Sequence, residues 1–114
     1  MTPPALNFVY SATVERIVDG DTVELMLDLG FKVFWKSTCR FARINAPEKN
    51  TPEGVTAKAF LVSQLPVGTE VIIRSTKLDK YGRGLIEIWK SDVNLNDLML
   101  YSKNAVPYDG KGPR

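Results

Sequence analysis

From Val23 to Leu29 the chain alternates strictly: Val23, Leu25, Leu27 and Leu29 fall on one side, Glu24, Met26 and Asp28 on the other. A period of two is that of a strand with one covered face. The stretch before it, "YSATVERIV", is rich in β-branched residues, and the Asp-Gly pair in "DGD" joins the two as a tight hairpin. A third alternating run, "FKVFWKSTCRFARI", sets Phe31, Val33, Trp35, Cys39 and Phe41 in phase. Asn45, Ala46 and Pro47 end it, because proline lacks a ladder donor and restricts its predecessor. "TPEGVTAKAFLVSQL" then predicts a helix with Thr51 as N-cap, Pro52 in the first turn and an apolar stripe of Val55, Phe60, Leu61 and Leu65. Pro66 and Gly68 stop that helix. "TEVIIRS" and "GLIEIWK" predict two more strands around "TKLDKYGRG", and "VNLNDLMLYSKN" a short amphipathic helix ending near Asn104. Five strands, a helix after the third and another after the fifth give a mainly β, α+β fold. The expected architecture is a five-stranded Greek-key barrel of the OB type carrying two or three packed helices.

Composition narrows this picture. A chain of 114 residues with 44% hydrophobic content fills one domain, expected to have its core over residues 12–108 and a loose, flexible tail over 109–114. No run approaches the roughly 20 apolar residues of a membrane span, and "MTPPALNFVY" has no basic, apolar leader pattern. The expectation is a monomeric cytoplasmic protein that engages no membrane, from a bacterium or its virus. The single Cys39 reads as a free, buried thiol. A formal charge of +2 tolerates an anionic partner without demanding one. The absence of histidine removes the usual acid–base residue, the Ser-His and Cys-His nucleophile pairs and imidazole metal ligands. Any hydrolysis must then use carboxylates, arginines or a hard metal.

Three segments carry such groups. In "DGDT", Asp19 and Asp21 can aim two carboxylates outward as ligands for a hard cation, or serve only as hairpin chemistry. In "RFARINAPE", Arg40 lies late in a strand and Glu48 just past the proline. Strand parity puts Arg40 and Asn45 on opposite faces, so the chain must bend before Asn45, a bend assigned to Pro47. Arg43 reads as a solvated strand residue without a role. In "DKYGRG", Lys80 and Arg83 either solvate a glycine-rich hairpin or hold a phosphate that the slim backbone lets come close. Together the segments offer acidic ligands, a free carboxylate and two fork-shaped cations, the groups phosphodiester hydrolysis needs without histidine.

"VDGDTVEL", "RFARINAPE" and "DKYGRGL", in this order, resemble the staphylococcal (micrococcal, thermonuclease) nuclease domain over roughly Ala12 to Tyr108. The resemblance implies an OB-fold, calcium-dependent phosphodiesterase that cleaves DNA and RNA and leaves 3′-phosphate ends. It implies Asp21 as a calcium carboxylate, Asp19 as an outer-shell acid, and the Ala46 backbone carbonyl as a further ligand. Arg40 and Arg83 match phosphate-binding arginines and Glu48 the group that activates or orients water. Tyr81 matches a phosphate-contacting tyrosine and Tyr108 an aromatic that stacks on a base; Lys80, beside Tyr81, is a further expected substrate contact. Asn45 departs from the pattern, standing where the best-known members have a second calcium aspartate, which lowers the expected metal affinity. The loop after Glu48 is shorter than in those members and the Phe31 to Cys39 arm longer.

Two other readings stay open at this level. One is a catalytically weak or inactive OB module that binds single-stranded nucleic acid. The other is a protein-interaction barrel with Phe34 and Trp35 as its contact patch, which would have no nucleic-acid affinity even at low salt.

Overall fold

The computed structural model describes residues 2–4, 6–79 and 81–109. The substrate contact expected of Lys80 and the flexible tail expected beyond Asp109 lie outside the described residues. β1 (Val9–Asp19) and β2 (Thr22–Asp28) form the expected hairpin, Asp19 pairing Thr22 across Gly20 and Asp21. Register shifts between Val14 and Arg16 and between Ile17 and Asp19 coil β1. Its first half can then turn to pair with β5 (Glu70–Leu78) while its length serves β2. β3 (Phe34–Phe41) continues the meander, and β6 (Gly84–Lys90) lies antiparallel to β5. A short parallel pairing of β3 with β6, Cys39 to Gly84, Arg40 to Leu85 and Phe41 to Ile86, closes the five strands into a barrel. The fold is therefore the α+β barrel expected from the sequence, with two helices among the described residues.

Val14, Val23, Leu25, Phe41, Ile73, Ile86 and Ile88 fill the interior. α1 (Pro52–Gln64) covers one end with Leu61, and α2 (Leu95–Tyr101) another with Leu95 and Met99. Cys39 is free and buried, and burial raises its thiol pKa, which keeps it inert. Asn96, fully buried on α2, donates to the carbonyls of Ala42 and Ile86 at 2.9 Å each and accepts the Ile88 N–H at 3.0 Å. A buried amide with all these partners locks the turn after β3 against β6.

Several expectations differ. Thr51 caps α1 as predicted, accepting the Gly54 N–H at 3.0 Å. Val55, however, is exposed, and the face turned inward is Gly54, Ala57 and Leu61. The helix sits so close to the β1–β2 turn that a Cβ on Gly20 would stand 2.9 Å from both Ala46 and Ala57, leaving room only for small residues. α2 ends at Tyr101, not Asn104, because Lys103 turns left-handed and Asn104 and Ala105 bring their N–H groups back to Met99. Three short strands add to the barrel: β8 (Val106–Pro107) pairs with β4 (Ile44–Asn45), and β7 (Val93–Asn94) precedes α2. The in-phase Phe31, Val33 and Trp35 are exposed, because the β2–β3 hairpin runs on past the point where the barrel can cover it.

Candidate functional site

The β1–β2 turn and the bend after β3 meet around Asp21 and Arg40, and the β3–β6 pairing brings the end of the β5–β6 loop alongside β3. Asp21 is fully buried. Its carboxylate accepts the Thr22 hydroxyl at 2.9 Å and the Ala46 N–H at 2.9 Å, and meets Arg40 Nη2 at 3.5 Å. Asp19 accepts the Asp21 N–H at 3.2 Å. Burial raises the Asp19 carboxyl pKa above the ordinary range, and the Asp21 carboxylate beside it pushes the same way.

Arg40 is the hub of this cluster. Its side chain is 4% exposed, donating to the Phe41 carbonyl at 3.3 Å, the Ile44 carbonyl at 2.9 Å and Asn45 Oδ1 at 3.3 Å. The Tyr108 ring lies 5.2 Å from the guanidinium carbon, in cation–π range. Arg40 and Asn45 thus meet despite strand parity. The bend that allows it is at Ala42–Arg43, where Arg43 takes a φ of 71°, and not at Pro47.

Arg43 itself corrects the sequence reading. Its guanidinium forks onto Glu87 with two 2.7 Å bonds and reaches Asp97 at 3.0 Å, and Glu87 raises its pKa further. Its carbonyl accepts the Tyr108 N–H at 2.8 Å. A residue expected to be merely solvated instead ties the bend to β6 and α2 and anchors the backbone of Tyr108. The sequence carried a signal for this only in hindsight, as acids on two other elements.

Arg83 is installed differently. In the β5–β6 loop, Asp79 accepts the N–H groups of Tyr81 and Arg83 at 2.9 Å each and pairs with Arg83 Nε at 2.8 Å. Burial pushes the Asp79 carboxyl pKa up, but those N–H groups and the Arg83 cation outweigh it and hold it below the ordinary value. Gly82, at φ 82°, supplies the left-handed turn that lets both N–H groups converge on one carboxylate. Tyr81 stacks beside Arg83, 5.3 Å from ring to guanidinium carbon. Asp79 was missed in the sequence, although an Asp four residues before the arginine of a glycine-rich turn is an Asx-turn signature. A Cβ on Gly84 would lie 4.0 Å from the Cys39 sulfur, in the parallel pairing that brings this loop alongside Arg40's strand.

Glu48 stands exposed at the entry to α1. Its carbonyl is clamped by the Thr51 N–H at 3.0 Å and hydroxyl at 2.6 Å, and a Cβ on Gly54 would overlap it outright. Gly54, a second residue overlooked in the sequence, therefore fixes where Glu48 sits. The structure links Asp19, Asp21, Arg40, Asn45, Ala46 and Tyr108 by direct contact. It brings Arg83 with Tyr81 to the neighbouring strand, and places Glu48 two residues beyond Ala46.

No helix among the described residues is long and apolar enough to cross a membrane. The family model for staphylococcal nuclease homologues matches residues 38–111. That span takes in Arg40, Asn45, Glu48, Tyr81, Arg83 and Tyr108 and leaves Asp19 and Asp21 before it. An "Uncharacterized endonuclease" of Escherichia coli O157:H7 is 32% identical over 107 residues, covering 93% of this chain and 66% of that protein. "Endonuclease YhcR" of Bacillus subtilis (strain 168) is 32% identical over 108 residues, covering 82% of this chain and 8% of its own length. The chain thus spans just under two thirds of the Escherichia coli relative and a small part of the Bacillus subtilis one. With the barrel closed around this constellation and the family model matching most of the chain, it belongs to the staphylococcal nuclease homologue family.

Proposed function

We propose that this chain is a calcium-dependent phosphodiesterase that hydrolyses DNA or RNA and leaves 3′-phosphate ends. The observation that carries the reading is the parallel β3–β6 seam, which sets the strand of Arg40 beside the loop of Arg83 while Arg40 itself touches Asp21 and Asn45. The endonuclease names of the relatives agree with it.

The donor set suits a hard cation. Asp21 Oδ2 and Asn45 Oδ1 already converge on one positively charged nitrogen, Arg40 Nη2, at 3.5 and 3.3 Å, and carboxylate and amide oxygens are what calcium takes. Among the described residues no three His, Cys, Asp or Glu gather. The set we propose, the one the family resemblance implies, is Asp21, Asn45 and the Ala46 carbonyl, with Asp19 outside them, and its low charge implies modest affinity. When bound, calcium supplies charge stabilisation at a phosphate oxygen. Glu48 orients the attacking water and takes its proton. Arg40 and Arg83 donate paired hydrogen bonds to the phosphate as negative charge grows, which a lysine cannot reproduce. Tyr81 steadies Arg83 and Tyr108 offers its ring to a base.

Purified chain incubated with DNA and, separately, with RNA should cleave at least one of them when calcium is added and stop when a chelator follows, with ends that block polymerase extension until a phosphatase removes the 3′-phosphate. Binding without cleavage would favour the alternative, an OB module that only holds single strands; Asn45, one charge short, is the feature that favours it. Cleavage that survives chelation would refute the metal assignment.

A further inference from the structure

Beyond the barrel the β2–β3 hairpin continues as an arm that carries "FKVFWK", Phe31 to Lys36. Phe31 is 101% exposed, and Phe34 and Trp35 are each 61% exposed. The tip is not slack. Asp28 caps the Gly30 N–H at 2.9 Å, and the Leu29 N–H donates to the Val33 carbonyl and the Val33 N–H to the Gly30 carbonyl, each at 2.9 Å. Gly30, Phe31 and Lys32 all hold positive φ, at 82°, 54° and 63°. A bulky residue in that region costs stability, as does leaving it in water, and such costs persist where a side chain is being presented. Interleaved lysines and fully offered rings are the chemistry that grips unpaired bases and their phosphates.

The arm also points along the track the substrate would follow. β3 runs uninterrupted from Phe34 to Arg40, about 20 Å at the rise of a strand. Alternation puts Phe34, Lys36, Thr38 and Arg40 on one face. β6 pairs β3 at Cys39 to Phe41, so the outer edge of Phe34 to Thr38 is uncovered among the described residues. Lys36 pairs with Glu15 at 3.8 Å and Glu24 at 3.7 Å, exposed contacts of the weak kind that a phosphate can displace. The groove on the arm's flank, about 430 Å³ between Phe34 and Trp89, is lined also by Asp28 and Glu70, which repel phosphate. Phe34 borders that groove as well as the β3 track, so its ring would meet a base while the phosphates keep to the Lys36 and Arg40 side of the face.

We infer that the Phe31–Lys36 arm is a second nucleic-acid contact, which stacks unpaired bases of the strand whose phosphate lies at Arg40. This rests on the phosphodiesterase reading for the path of that strand. The test uses the whole chain with chelator, titrated with a fluorescent single-stranded 12-nucleotide DNA and a duplex of the same sequence; with calcium, KM and kcat are measured on the 12-mer and on a dinucleotide. Phe31→Ser and Phe34→Ser, both at exposed sites, should each weaken single-strand binding about 5- to 150-fold. They should raise KM for the 12-mer and leave dinucleotide hydrolysis and duplex binding as they were. If the wild type cleaves but neither variant changes 12-mer affinity, the arm proposal is overturned and the nuclease reading stands. If the arm variants lose binding in a protein that never cleaves, the arm stands and the nuclease reading falls. Loss of self-association in sedimentation with unchanged DNA affinity would overturn the arm proposal and make it a contact between copies.

Discussion

Arg40 and Arg83 are the two arginines proposed to hold one phosphate, yet the protein installs them in opposite ways. Arg40 is buried at 4% side-chain exposure among carbonyls, an amide and a carboxylate from three segments, so its position is part of the fold. Arg83 is 24% exposed and is held within its own loop by Asp79, four residues away. One cation is preorganised at a cost in desolvation; the other can be released by breaking one carboxylate contact. The difference teaches that a transition-state clamp can pair a fixed jaw with a movable one.

The sharpest way to break this contrast is to truncate each arginine. Arg40→Ala should lose turnover and also destabilise the chain by about 3–5 kcal/mol, the typical result of opening a buried ion pair. Arg83→Ala should lose about 10²–10³ in turnover while stability stays within about 1 kcal/mol. Denaturant melts beside initial rates would decide it, and equal melts for the two variants would remove the distinction. Next in size is Gly54→Ala. In a solvent-facing helix this change stabilises by up to about 1 kcal/mol, but here the new methyl overlaps the Glu48 carbonyl, so we expect a loss of about 1–3 kcal/mol together with slowed cleavage. An unchanged or raised melting point would show that Glu48 is not fixed by this helix.

Asp79 tests the movable jaw by pH. Its folded-state pKa is lowered, so its stabilisation is present above the unfolded value, about 3.9, and is lost as pH falls through the folded one. The stability gap between wild type and Asp79→Asn should therefore shrink below about pH 4. A gap constant from pH 7 to pH 3 would contradict the loop assignment. The smallest effect concerns the fixed side: Asn45→Asp adds one ligand charge and should tighten calcium binding in calorimetry. Unaltered affinity would take Asn45 out of the metal site.

The barrel was legible because its signals are local. Alternation from Val23 to Leu29, the Thr51 cap and the Asp-Gly turn each declare an element within a few residues. What stayed hidden depends on contacts between segments. Val55 has the right spacing for a buried stripe, but Ala57 packs on Gly20 and Gly54 on the Glu48 backbone, and these small residues with Leu61 take the inward face. Phe31, Val33 and Trp35 keep the strand period after the barrel beneath them has ended, and periodicity cannot report where a core stops. Arg43 and Asp79 were passed over for the same reason. An arginine's partners on β6 and α2, or a carboxylate's grip on two N–H groups, become visible only when the chain has closed on itself.

That closure has a consequence for the chain during its own synthesis. The β3–β6 seam joins stretches distant in sequence, and β6 is made long after β3. A nascent polypeptide that has emerged only as far as α1 carries Arg40 without its counterpart strand. The proposed two-arginine clamp therefore cannot assemble until the last barrel strand zips into place, and a half-made molecule is without it.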